Sequence, residues 1–228
     1  MLKIRVIATI LWNGQTMVKG KGFDAWRSVG HPLQAINVYQ LREVDEILFL
    51  DITATKEGRS PDFKLIEQLS ERCFVPLTVG GGVRSVEDVR QLLRAGADKV
   101  CIKTAWTSRF VQDVSQSFGQ QVLVGCYDHG DDPNLIAWDD QNIGEVMVQS
   151  MARDGSMFGY DLQVVTCFGK HSTVPVIASG GCGTYEHMAQ AIDAGASAVA
   201  AGAMWLFTEQ TPLEAKKYLA AKGYPVRL

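Results

Sequence analysis

The chain has no apolar run long enough to span a bilayer, no excess of basic residues, no C-x-x-C pair and no recognisable linker. Each absence excludes a class. A membrane helix needs about 20 consecutive apolar residues, so none is expected. With 22 Lys and Arg against 25 Asp and Glu, the net charge of −3 argues against a nucleic-acid or membrane surface as partner. The five cysteines, Cys73, Cys101, Cys126, Cys167 and Cys182, are irregularly spaced and mostly embedded in apolar runs. They read as reduced core thiols, with neither a disulfide framework nor a zinc site. The opening M-L-K-I-R-V-I reads as a strand and lacks the apolar core of a signal peptide, so the expected location is the cytoplasm. No motif calls for a metal or a cofactor.

What is present is an ordinary globular composition, 46% hydrophobic and 21% charged over 228 residues. That length suits one α/β barrel or up to two smaller domains, and the reading here is a single domain over 1–228. Its organising feature is a repeat. V-P-L-T-V-G-G-G-V-R-S-V-E-D-V-R-Q-L-L-R-A-G-A (75–97) returns as V-P-V-I-A-S-G-G-C-G-T-Y-E-H-M-A-Q-A-I-D-A-G-A (174–196). Pro76 pairs with Pro175, Gly81 with Gly180, Gly82 with Gly181 and Gly96 with Gly195, all at an offset of 99. Each copy is a β-branched strand, a glycine turn, a Ser or Thr cap and an amphipathic helix. Glycines admit close backbone approach and a helix start offers unpaired N–H groups, so two such turns suggest two phosphate sites; a plain tight βα turn is the alternative.

Taken in order, strands are expected at 4–11, 46–52, 75–79, 99–103, 122–128, 145–150, 174–179 and 198–203. Helices are expected at 32–41, 62–72, 85–95, 108–117, 160–170, 184–194 and 212–222. Eight strands alternating with helices predict a (β/α)8 TIM barrel with a half-barrel internal repeat (about 1–118 and 119–228) and its site at the C-terminal strand ends. The polar stretch to about Gly30 is either a functional loop or lid, with Lys19, Lys21 and Arg27 within reach of a phosphate, or a solvated loop. Glu46 and Glu145 share the offset of 99, whereas Leu11 matches Asp128 at 117. The 18-residue difference leaves 129–144 too short for a normal loop and helix, so the fifth helix is vestigial or a segment is missing.

Several long stretches carry a family likeness: F-L-D-I-T-A (49–54), E-G-R (57–59), L-T-V-G-G-G-V-R-S-V-E-D (77–88), L-L-R-A-G-A-D-K-V (92–100), R-D-G-S-M-F-G-Y-D-L (153–162) and P-V-I-A-S-G-G (175–181). On these residues the chain resembles the cyclase subunit of imidazole glycerol phosphate synthases, histidine-biosynthesis barrels that work with a docked glutaminase. The resemblance implies one phosphate loop at Gly82 and Thr104 and another at Gly155, Gly181, Gly202 and Ala203. It implies an ammonia gate of Arg5, Glu46, Lys99 and Glu145 at the foot of the barrel, with Asp98 facing the glutaminase. A salt-bridge plug would have the same geometry. Lys19, Asp51 and Asp154 complete the substrate set, and Lys103 stands where the family places an asparagine near a phosphate.

The family chemistry uses two aspartates as general acid and base on a doubly phosphorylated substrate. Asp128 matches one, but Leu11 occupies the position of the other, and leucine transfers no proton. Two functions therefore compete. One is the glutamine-dependent cyclase, with Asp128 as the remaining acid-base residue and Asp51 or Asp154 assisting. The other is a cyclase-like paralogue that activates a glutaminase and delivers ammonia to a sugar-modifying enzyme of surface-polysaccharide synthesis. A sister isomerase ranks lower because it needs an acid at the first strand, and a bare binder of phosphorylated metabolites would not need Asp128.

Overall fold

The computed structural model describes residues 3–130 and 140–228. Eight parallel strands close into a barrel: β1 (Arg5–Trp12), β4 (Glu46–Asp51), β5 (Leu77–Gly80), β6 (Lys99–Ile102), β7 (Leu123–His129), β8 (Glu145–Ser150), β9 (Val176–Ser179) and β10 (Ala198–Ala201). Closure is made by β1 against β10, from Arg5 opposite Ala198 to Ala8 opposite Ala201. Apolar residues fill both faces of these strands, as expected where helices cover one face and the barrel interior the other.

The outer layer holds α1 (Pro32–Leu41), α2 (Phe63–Ser70), α3 (Val86–Arg94), α4 (Ser108–Phe118), α5 (Leu162–His171), α6 (Tyr185–Asp193), the short α7 (Ala203–Phe207) and α8 (Pro212–Ala221). Side-chain caps start most of them: Asp62, Thr107, Asp161 and Thr211 each accept from a first-turn amide, and Ser85 forms a reciprocal capping box with Asp88. Ile36, Leu69, Leu92, Val114, Met188 and Leu219 bury the helices against the sheet. No helix among the described residues is long and apolar enough to cross a membrane.

Two elements were not anticipated. The stretch expected to be a loop or lid is an antiparallel hairpin, β2 (Met17–Lys21) and β3 (Asp24–Gly30), which continues the sheet from the top of β1 through Leu11 opposite Val18. Its outer strand is almost wholly exposed, so no apolar alternation announces it. The other is α7, too short to show a helical period.

Strand register follows the repeat offset. Leu11 lies opposite Leu50 on β4, and Asp128 lies opposite Gln149 on β8. Leu50 and Gln149 are themselves 99 residues apart, so Leu11 and Asp128 occupy equivalent places in the two half-barrels. The expected shortening after strand five falls mostly on 131–139, outside the described residues; Asp140, just beyond, accepts from Ser172 and Thr173 and so ties the approach to β8 to the end of α5.

Candidate functional site

The foot of the barrel carries a closed ring of alternating charge. Arg5, at the start of β1, donates to Glu46 at 2.6 Å and contacts Glu145 at 2.9 Å. Lys99, at the start of β6, reaches Glu46 at 2.9 Å and Glu145 at 3.3 Å. Glu46 is 1% exposed and also accepts from the Thr78 hydroxyl at 2.7 Å. Burial alone would lower the Arg5 pKa, but the two carboxylates outweigh it and hold the guanidinium above its ordinary value. The four residues named from the sequence thus meet in one ring. Asp98 lies exposed beside it, and one of its oxygens accepts from the Leu77 amide at 2.8 Å.

Above the ring, the interior becomes apolar. Ile7, Leu48, Cys101, Val124, Met147 and Ile177 fill the middle of the barrel, with Leu50 packed on them. The ring and the C-terminal end are separated by side chains without charge.

At the C-terminal end two clefts meet. The larger, about 320 Å³, is lined by Asp51, Thr53, Thr55, Lys56, Gly81, Gly82, Lys103, Thr104 and Asp128, with Phe23 and Trp26 of the hairpin at its mouth. The smaller is lined by Thr9, Lys19, Asp154, Gly155, Ser179, Gly180, Gly181, Gly202 and Ala203. Leu11 and Gln149 line both. Each cleft contains one copy of the repeated glycine turn. Glycine is required there: at Gly81 (φ +100°) a Cβ would sit 2.1 Å from the Asp51 carbonyl, and at Gly181 (φ +101°) 2.2 Å from that of Gly159. Such open backbone suits the close approach of an anion.

Individual side chains depart from the simplest reading. Lys19 is buried and grips both oxygens of Asp154 at 2.8 and 2.9 Å, so it forms the wall of the small cleft as half of an ion pair. Lys21 and Arg27 lie over the rings of Phe158 and Phe207, at 5.8 and 4.1 Å from their centroids, and not at the clefts. Asp51 is occupied by the amides of Thr53 and Ala54 and by Arg59 at 3.0 Å, which orders the loop after β4. Its hydrogen bond, with that of Glu57, holds Arg59 above its ordinary pKa.

Asp128 is 8% exposed and pairs with Lys103 at 2.6 Å. The Cys126 thiol contacts its other oxygen at 3.4 Å. A hydrogen bond with Cys101, burial and Asp128 together push that thiol well up, which removes it as a nucleophile. Leu11 is buried in the same wall and contributes no polar atom.

Sequence reasoning passed over Gln149, Ser179, Thr53, Thr55 and Thr9. The offset of 99 from Leu50 was a signal for Gln149. Thr9 had none, yet its hydroxyl is buried in the small cleft without a partner among the described residues, a place a bound oxygen would satisfy. No group of three or more metal-ligating side chains occurs among the described residues.

The second glycine turn also contains a pH-sensitive contact. His187 Nδ1 accepts from the Gly183 amide at 3.2 Å, which requires the neutral ring. Burial keeps the His187 pKa below its ordinary 6.5, against a smaller opposing pull from Glu186. A folded pKa below the unfolded one gives a contribution that is complete above about 6.5 and is lost as pH falls through the folded value. Thermal unfolding followed from neutral pH down to about 5 should show this decline, and His187→Gln, which keeps an acceptor, should flatten it.

Together the fold and site define a (β/α)8 barrel made of two half-barrel repeats, with paired glycine turns at its C-terminal end. The chain belongs to the histidine biosynthesis protein family, whose pattern matches residues 5–211. It is 40% identical to the imidazole glycerol phosphate synthase subunit HisF of Thermobifida fusca over 254 aligned positions, covering 99% of each chain. It is 38% identical to the subunits of the same name from Streptomyces coelicolor and Streptomyces avermitilis, again over 99% of each. An alignment of 254 positions against 228 residues means that the first relative carries segments this chain lacks.

Proposed function

We propose that this protein is the cyclase subunit of a glutamine amidotransferase of histidine biosynthesis. It uses ammonia from a glutaminase to convert a bis-phosphorylated aminoimidazole-carboxamide ribonucleotide to imidazole glycerol phosphate. The observation that carries the reading is the pair of glycine turns in two clefts joined at Leu11 and Gln149, with Asp128 in the larger. A substrate with a phosphate at each end would span them and bring its middle past Asp128. Ammonia would enter through the Arg5, Glu46, Lys99 and Glu145 ring and rise along the apolar interior.

The glutaminase would seat on the same foot of the barrel. There Leu41 and Phe74 stand 84% and 86% exposed, and the Gln40 side chain, next to Leu41 in the chain, donates to the Arg72 carbonyl and accepts from the Phe74 amide. Exposed apolar side chains of this size support an interface, and Asp98 lies on the same face. The assembly would work in the cytoplasm.

A second reading draws on Leu11. An intact charge ring beneath a cleft with an apolar residue at one of two equivalent positions fits a barrel that only activates a glutaminase and passes ammonia to a sugar-modifying enzyme. Purified protein given the ribonucleotide with ammonium salt separates the two: turnover supports the cyclase, and none, with glutaminase activation retained, supports delivery.

A further inference from the structure

Proton transfer in the larger cleft has few possible carriers. Asp51 is already held by two backbone amides and Arg59. Cys101 and Cys126 are buried against one another, and Leu11 has nothing to give. Lys56 also lines the cleft, on the loop after β4 with Thr53 and Thr55, but makes no ion pair with a cleft carboxylate among the described residues. That leaves Lys103 and Asp128, on adjacent strand ends, whose Nζ and Oδ2 are 2.6 Å apart. The carboxylate is buried while the lysine is 42% exposed, so its ammonium faces the cavity from the same spot.

We propose that Lys103 is the catalytic proton donor of this site, working with Asp128 as a self-resetting acid-base pair in place of two opposed carboxylates. The proposal rests on the cyclase reading above and concerns the step in which ammonia adds to a substrate carbonyl. The nitrogen lone pair forms the C–N bond and the C=O π electrons move to oxygen. The Lys103 ammonium gives that oxygen a proton, and the Asp128 carboxylate takes one from the new nitrogen. The neutral carbinolamine leaves Lys103 as an amine and Asp128 as an acid. The proton then crosses their 2.6 Å contact and restores the original ion pair. No other reactant is needed.

The test is steady-state turnover of the ribonucleotide with ammonium salt by the parent, Lys103→Arg and Lys103→Asn, each checked for parental thermal unfolding. Arginine keeps the positive charge but does not release its proton, so both variants should lose about 10²–10⁴-fold in kcat with the substrate KM little changed. Adding Leu11→Asp to Lys103→Asn supplies an acid at the equivalent position of the other half-barrel and should recover much of the loss. Lys103→Arg turning over at the parent rate, or variants that raise only KM, would overturn the proposal and leave Lys103 as an anion holder while the cyclase reading stands. A parent inactive with ammonium would overturn both.

Discussion

Asp128→Asn is expected to lower ammonia-dependent turnover by about 10²–10⁴-fold, the usual worth of a positioned general base. Asparagine matches the shape of aspartate but cannot accept a proton. Because Lys103 is 42% exposed, the lost charge pair is one that water already screens, so stability should change far less than rate. The loss should appear in kcat, since Asp128 belongs to neither glycine turn. A variant within about tenfold of the parent rate would remove Asp128 as the base. It would then point to Asp51 or Asp154, both of which are already committed to cations, Arg59 and Lys19.

The largest stability effect is expected at the foot of the barrel, where Glu46→Ala should cost about 3–5 kcal/mol, as breaking a buried ion pair does. Glu46 is 1% exposed and serves Arg5, Lys99 and Thr78 at once. Its removal leaves two cations to share Glu145 and strands the Thr78 hydroxyl in the interior. Glu46→Gln, which keeps the volume and an acceptor for Thr78, should cost less. Urea unfolding checks this through a lower midpoint at unchanged slope. A cost below about 1 kcal/mol would mean that water already screens the ring as it does a surface pair.

Much of the architecture was legible because it is local. The glycine turns, the Ser85 cap and the barrel strands each depend on residues within one βα unit, and duplication doubled the signal. Their boundaries moved by a residue or two, inward as with β5, which begins at Leu77 and not at Val75, or one place along the chain as with β1 and β7. The charge ring was legible only through the family resemblance; the repeat offset by itself did no more than match Glu46 with Glu145. The hairpin was not. Its strand β3 has five exposed residues in succession, and it forms because β1 and β2 offer their backbone groups, which composition does not record.

What the sequence determined alone is the two-half barrel, the position of both glycine turns and the equivalence of Leu11 with Asp128. What only the tertiary structure decided is which charge answers which. Lys19 was expected at a phosphate and is tied to Asp154, 135 residues away; Lys103 was expected at an anion and is tied to Asp128. Such pairs are set by strand register around a closed sheet. Lys19 and Asp128 stand on strands, where one residue of slip would turn either side chain to the other face, and no local pattern of residue types encodes which partner it meets.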